Sequence, residues 1–324
     1  MTGKLTKTHK SSQPQKAKNK TGLLDVLRKI FVESAMKHPT IPAIRFERRL
    51  FKLLDAMHGF TELNIDRMIS TKRCLIILKC CYNLESLSVI LRPDEPGNLD
   101  DSALETQPRV YANKLNTLHI STIFQLPEEF LNAIYCPILL SLTLERDAST
   151  IDLTSETSKN YGFRGLVQQS GCYLESLVLS NMFPKADELK KFLELRYTDQ
   201  LQQLWVYDDC NIFRDRQKRP PSITNSVVQA LTVVKTHHGS RGETVRYYQC
   251  PRLSDLGFSP CFSDDDELSK VVQRRSKVHS SFILTYSWDP AKKDQHQRDY
   301  RRFKTLGDGG GQLVLNETAG RWWY

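Results

Sequence analysis

Four groups of residues in this 324-residue chain have types that do chemistry. The run Gly307-Asp308-Gly309-Gly310-Gly311 has the flexibility of a phosphate loop. It lacks the Lys-Ser/Thr pair that holds phosphate and metal, so it reads as a turn. His237-His238 with Cys250 offers nitrogen and sulfur ligands. Paired histidines in a polar stretch read as exposed side chains instead. Asp264–Glu267 is an acidic run, and a helix start accounts for it, since negative charge is favoured there. The fourth group is basic: Arg274, Arg275, Lys277, Lys292, Lys293, Arg298, Arg301, Arg302 and Lys304, with Tyr286, Trp288 and Tyr300 between them. Cations interleaved with aromatics can contact phosphates and stack bases. Asp289, Asp294 and Asp299 interrupt the run, which equally suits a solvated face with apolar stems laid on the protein. The chain has no G-x-S-x-G elbow and no H-E-x-x-H helix. No catalytic residue, cofactor site or metal ligand is expected, and the reading is non-enzymatic.

The elements that would position these groups follow one pattern. Cys250–Arg275 reads CPRLSDLGFSPCFSDDDELSKVVQRR. Leu253, Leu256 and Phe258 lie at L-x-x-L-x-(apolar) spacing, which predicts a short strand with Leu256 and Phe258 on one face. Ser263 is a candidate N-cap for a helix with Leu268, Val271 and Val272 on its apolar stripe, and Arg274 and Arg275 suit its C-terminal end. The same six-residue pattern recurs at Phe60/Leu63/Ile65, Leu84/Leu87/Val89, Leu115/Leu118/Ile120, Leu139/Leu142/Leu144, Leu174/Leu177/Leu179 and Leu201/Leu204/Val206. Intervals between first positions are 24, 31, 24, 35, 27 and 52 residues. The shorter ones fit the ~20–29 residues of a leucine-rich repeat. The longer ones carry polar excess: Arg92–Pro108, Asp147–Asn160, Asp208–Pro221 and Lys235–Arg246 read as loops or insertions. Phe282–Tyr286 adds a candidate eighth strand, Tyr300–Leu306 a basic helix, and Gln312–Leu315 an edge strand.

The fold class is therefore α/β: an irregular leucine-rich-repeat solenoid with a curved parallel sheet and outer helices. Residues 1–22 form a basic tail, 23–306 the solenoid with a helical cap (Leu23–Met36 and Arg45–Met57), and 307–324 a last strand and tail. The formal net charge is +9, but the first twenty residues hold six lysines and no acid, so the remainder carries only +3. The tail is too polar to bury and is expected to be disordered, either a solvating leader or a nuclear-localisation or anionic-surface contact. No signal peptide or apolar run of membrane-spanning length is visible, which predicts an intracellular chain, cytoplasmic and/or nuclear, with reduced thiols. Cys81, Cys136 and Cys250 stand three residues before a repeat leucine and Cys172 two before one, while Cys210 and Cys261 follow a strand. These six belong to the repeat. Cys74 and the adjacent Cys80-Cys81 pair do not have a convincing zinc spacing.

ITNSVVQALT (Ile223–Thr232), CPRLSDLGFSPC (Cys250–Cys261), SGCYLESLVLS (Ser170–Ser180) and RWW (Arg321–Trp323) resemble the repeat region of fungal F-box/leucine-rich-repeat proteins. The resemblance covers roughly residues 40–324. It implies a substrate-recognition arc of a ubiquitin-ligase receptor, in which an F-box docks a Skp-type adaptor. The one string that mimics an F-box opening, Leu126–Tyr135, runs straight into the strand pattern Cys136–Leu144 and belongs to a repeat. No adaptor-binding position carries over.

In a solenoid the residues flanking the inward leucines point from the concave face of the sheet. Most are small or polar here: Glu62, Asn64 and Asp66 on the first strand, Ser176 and Ser180 on the fifth. Trp205 and Tyr207 are the exception. They project from one face about 7 Å apart, and such side chains are enriched at binding hot spots. His119, Glu145, Val178 and Asp255 surround them. Either this patch binds a protein partner, or Asp208–Pro221 folds over it. The alternative function is nucleic-acid association through the lysine tail and the C-terminal basic cluster.

Overall fold

A computed structural model describes residues 60–93, 109–124, 126–147, 162–208, 222–238, 244–279, 281–288, 295–308 and 312–317. The lysine tail, the two N-terminal helices, most of the loops expected at 92–108, 147–160 and 208–221, and the RWW string lie outside the described residues. The described ones belong to one compact unit, His58–Tyr324.

All seven repeat strands form, as do the two added at the C-terminal end. They are β1 (Glu62–Ser70), β2 (Ser86–Arg92), β3 (Thr117–Thr122), β4 (Ser141–Arg146), β5 (Ser176–Ser180), β6 (Gln203–Tyr207), β7 (Asp255–Cys261), β8 (Ser281–Trp288) and β9 (Gln312–Glu317). They build a nine-stranded sheet in sequence order. Every neighbouring pair is parallel, and one row of leucines runs across it in register: Leu63, Leu87, Leu118, Leu142, Leu177, Leu204, Leu256, Leu284 and Leu315. A second row beside it, from Ile65 through Val89, Ile120, Leu144, Leu179 and Val206 to Phe258, shares the buried face.

Leu87 to Leu284 in the first row are 0–1% exposed. Leu63, expected in the same ladder, is only half-buried. Among the described residues its strand has a single partner in the sheet, β2. A bulge between Ile65 and Met68 also shifts the end of β1, so that Met68 rather than Asp66 aligns with Ile90.

The six strands β2 to β7 are led in by the same backbone device. One carbonyl accepts the two amides that open the next strand: Glu85 O takes Asn116 N at 2.8 Å and Thr117 N at 3.0 Å, and Glu175 O takes Gln202 N at 2.8 Å and Gln203 N at 3.0 Å. Thr61, Asn116, Leu140 and Gln202 repeat it. Just upstream, Cys81, Ala112, Cys136, Thr198 and Cys250 each accept the amide three residues on, which closes the turn into the strand. Residues of small volume fit this buried position, which explains the cysteine spacing. All seven described cysteines are free thiols. Burial pushes Cys74 up to about 12 and Cys172, Cys250 and Cys261 up to about 11, so they stay protonated and poorly nucleophilic at neutral pH.

Helices return the chain between strands. They are α1 (Thr71–Cys80), α2 (Glu128–Asn132), α3 (Phe163–Ser170), α4 (Ala186–Leu193), α5 (Asn225–Ala230), α6 (Glu267–Arg275) and α7 (Gln297–Asp308). Helices α2 and α3, α4 and α5, α5 and α6, and α6 and α7 are mutual neighbours. Their apolar stripes are buried with the leucine rows: Leu189, Phe192 and Leu193 on α4, Leu268, Val271 and Val272 on α6. Phe163 meets Phe192 edge to face with ring centroids 5.3 Å apart, which joins α3 to α4.

Three expectations are corrected. Ser263 does not cap α6; it is buried against Cys261 Sγ at 3.3 Å, and Asp266, at φ 83°, takes the cap position. Lys235–Arg246 is more than a polar insertion, because Val234–His238 pairs antiparallel with Thr244–Tyr248. Arg275 is not part of a solvated basic face. It is 1% exposed, with Nη1 donating to Cys250 O at 2.6 Å and Nη2 donating to Leu231 O at 2.8 Å and to Gln249 O. Its guanidinium lies 5.6 Å from the Tyr248 ring centre. Burial lowers it to about 10, still charged at neutral pH, and the Leu231 carbonyl at the C-terminal end of α5 favours that charge.

Replacing Leu177 by Ala removes the middle of the leucine row and should cost roughly 2–5 kcal/mol. Urea unfolding of the variant against the parent protein measures this, and a loss within ~0.5 kcal/mol would show that the row is not the core.

Candidate functional site

The face of the sheet opposite the leucine rows presents side chains that are half-buried on β3 to β6 and become buried towards β8, where Ser259, Thr285 and Ser287 are 3–6% exposed. All six residues expected to form a patch lie on it, on five adjacent strands, β3 to β7. Register aligns His119, Thr143, Val178, Trp205 and Gly257 in one row. Ser121, Glu145, Ser180, Tyr207 and Ser259 form the next. With neighbouring strands ~4.8 Å apart, His119 and Trp205 are about 14 Å from each other across the sheet. The six residues therefore form two clusters joined by Thr143 and Val178.

The first cluster is aromatic. Trp205 Nε1 donates to Asp255 Oδ1 at 2.8 Å, while Gln203 Nε2 donates to Asp255 Oδ2 at 3.0 Å and Ser176 Oγ donates to Gln203 Oε1 at 2.6 Å. One carboxylate on β7 thus sets the indole and the amide on β6. The Trp205 and Tyr207 ring centroids are 5.5 Å apart at an interplanar angle of 56°. Burial and the neighbouring Asp255 charge push the Tyr207 hydroxyl far above its ordinary value, so it stays neutral. Both rings are half-buried.

The space they occupy exists because residue 257 is glycine. A Cβ there would lie 2.5 Å from Tyr207 Oη and 2.8 Å from Trp205 Cδ1. Gly257, Gln203 and Ser176 escape a reading that looks for large side chains. The detectable signal was the glycine itself, since a glycine inside a strand marks close approach by another group.

The second cluster is ionic. His119 Nε2 lies 3.2 Å from Glu145 Oε2, and Ser121 Oγ donates to the same oxygen at 3.3 Å. The hydrogen bond from His119 is the largest influence on Glu145 and holds its carboxyl below the ordinary value of 4.5 against the opposing effect of burial. Ser88 Oγ is 3.4 Å from His119 Nδ1, which completes a serine–histidine–glutamate line across β2, β3 and β4. An acyl-transfer site also needs free backbone amides to stabilise an oxyanion. The strands around this line are interior, and their amides serve the parallel ladders.

The C-terminal basic group has a different construction from the one its composition suggests. Tyr286 and Trp288 are buried, and Trp288 stacks on His296 with centroids 3.6 Å apart. Arg302 Nε is 3.0 Å from Asp266 Oδ1. Lys292 and Lys293 lie outside the described residues, as do the side chains of His237 and His238. Cys250, their suggested metal partner, directs its thiol to Leu193 O at 3.9 Å. Among the described residues, no helix is long and apolar enough to cross a membrane.

Comparison with protein-family models, characterised proteins and solved structures gives no match.

Two outcomes follow from the clusters. Gly257→Ala should displace both rings, changing near-ultraviolet circular dichroism while leaving the far-ultraviolet spectrum of the sheet in place. An unchanged near-ultraviolet signal would mean that the rings do not lean over β7. For Glu145, the lowered value means that ionisation favours the fold; the contribution is present above 4.5 and is lost as pH falls through the lowered value. An NMR titration of Glu145 should move upward in His119→Ala, and an identical titration would exclude the pair.

Proposed function

We propose that this chain is a leucine-rich-repeat solenoid that recognises a protein partner through the face of β3–β7, without catalysis. The observation that carries this reading is the Trp205–Tyr207 pair, fixed by Asp255 and seated over Gly257. Large amphipathic side chains already held in one arrangement lose little freedom on binding, which is the property of a hot spot. The His119–Glu145 pair and Ser121 supply a polar margin for it.

The resemblance to F-box/leucine-rich-repeat proteins would make that partner a substrate delivered to a ubiquitin ligase. Leu126–Tyr135 supports only the recognition half of that role. Its Phe130 and Leu131 are core residues of α2, and Ile134 pairs with Val110 in a short strand. Among the described residues, the strands that carry Ser88 and His119 pair on both sides, which suits a recognition face. Nucleic-acid association would need exposed ring faces in the basic group, and burial of Tyr286 and Trp288 weighs against it.

The experiment is affinity capture with the full chain, followed by Kd measurement on the recovered protein for the parent and for Trp205→Ala. The variant should lose about 2 kcal/mol or more, roughly thirtyfold in Kd. Lysine-to-alanine changes in residues 1–20 should have little effect at physiological salt, where exposed charges are screened over ~8 Å. Equal affinity for parent and Trp205→Ala would move the site elsewhere. A steep log-linear fall of affinity with salt, together with recovered nucleic acid, would favour the other function.

A further inference from the structure

Asp265, His296 and Asp299 come together where α6 and α7 begin, away from the sheet face discussed above. Their donor atoms all lie within 4.8 Å of one another. The His296 side chain is 2% exposed and that of Asp299 0%. His296 Nδ1 and Asp299 Oδ2 face each other at 3.4 Å, and neither has a hydrogen-bond partner. They stand in ion-pair range of each other, but two buried polar atoms that make no hydrogen bond and face one point need an explanation.

A proton shared directly between them would bring nitrogen and oxygen to about 2.7–3.2 Å. The observed 3.4 Å is longer. It is compatible with a shared ligand: a metal bound at 2.0–2.1 Å to nitrogen and 2.0–2.2 Å to oxygen, at a tetrahedral angle, separates them by about 3.4 Å.

We propose that Asp265, His296 and Asp299 bind a divalent transition-metal ion of the zinc type. Two carboxylates with a neutral imidazole carry the charge that a dication neutralises. An imidazole in a three-ligand set selects zinc, cobalt or nickel over calcium or magnesium, which require more oxygens. The ligands are held by outer partners as metal ligands are. Asp299 Oδ1 accepts from Ser269 N at 2.8 Å, leaving Oδ2 for the ion. Asp265 Oδ1 accepts from Arg298 N at 2.9 Å and Asp299 N at 3.0 Å, and its Oδ2 accepts from Arg298 N at 3.2 Å. The imidazole is clamped by Trp288, stacked at an interplanar angle of 5°. Arg298 Nε, 3.9 Å from Asp265 Oδ2 on a side chain that is 75% exposed, is too loose a counter-charge to take the place of an ion. The ion would join the segments that open two helices and leave its fourth position to water. It would act as a structural clasp at the C-terminal end of the sheet.

The test uses the full chain stripped with a chelator and titrated with Zn²⁺, and with Co²⁺ as a spectroscopic probe. One equivalent should bind, give tetrahedral Co²⁺ absorption without sulfur-to-metal charge-transfer bands, and raise the thermal midpoint; Mg²⁺ should not. Asp299→Asn keeps an oxygen for Ser269, and His296→Phe keeps a ring against Trp288. Each should weaken Zn²⁺ at least about tenfold, the scale on which even an outer-shell partner acts. Direct titration of the parent protein keeps the test decisive if a variant folds poorly. Failure of the parent to bind one equivalent would overturn the proposal. So would equal binding by both variants, or thiolate bands that place the ion on cysteine. If no ion binds and an NMR titration finds His296 and Asp299 sharing a proton, the cluster is an ion pair only.

Discussion

Registration of the leucine row is the constraint from which the rest of the described structure follows. A strand's side chains alternate between faces, so a slip of one residue in any strand would send its leucine to the polar face and its serines into the core. The shared carbonyls exclude that slip locally. Glu85, Asn116, Leu140, Glu175 and Gln202 each bind the two amides that open the following strand, so each strand from β3 to β7 has its start set by the one before it. The length of chain between strands can then vary without disturbing the pairing. Leu204 and Leu256 align although 52 residues separate them, because the hairpin Val234–Tyr248 and helix α5 take up the excess outside the sheet.

The leucine rows determine one face strictly, while the opposite face is half-buried on β3 to β6 and its chemistry differs from strand to strand. The carboxylate of Asp255 holds two side chains of β6, and that of Glu145 pairs with the imidazole of β3. In both clusters a carboxylate on one strand orients groups on another. The result is a surface with fixed donors and rings, the property that the proposed recognition requires.

The sheet was legible in the sequence because period and spacing are local signals. Seven L-x-x-L-x-(apolar) strings predicted seven strands, and the FILTY and Gln312–Leu315 segments predicted two more; all nine are present in the expected order. The six patch residues also share a face, as alternation requires. What escaped was everything set by tertiary partners. Leu63 matches its pattern and is only half-buried, because burial depends on the neighbour and not on the string. Arg275 reads as a helix-end surface cation, yet three carbonyls from two other segments surround it. Trp205 reads as a bare ring, but a glycine and an aspartate 50 or more residues away seat it. Ser263 has the chemistry of a cap and the wrong position, since Cys261 and the end of β7 draw it into the core.

The same physics explains where charged side chains end up at the C-terminal end. Helix ends expose amides or carbonyls that need partners, and short helices offer few from within. Here distant side chains provide them. Arg275 at the end of α6 binds Leu231 O at the end of α5, Asp265 before α6 binds the first amides of α7, and Asp299 on α7 binds Ser269 N on α6. Asp208 does the same after β6, accepting from Phe183 N at 3.1 Å and Ser222 Oγ at 2.7 Å. Acids and bases that composition would assign to surface recognition are thereby committed to backbone groups inside the repeat. Basic character near the C-terminus is therefore a poor guide to what this chain binds. The half-buried side chains of Trp205, Tyr207, Val178 and Ser121, which face away from the leucine rows, are the ones the proposed recognition would use.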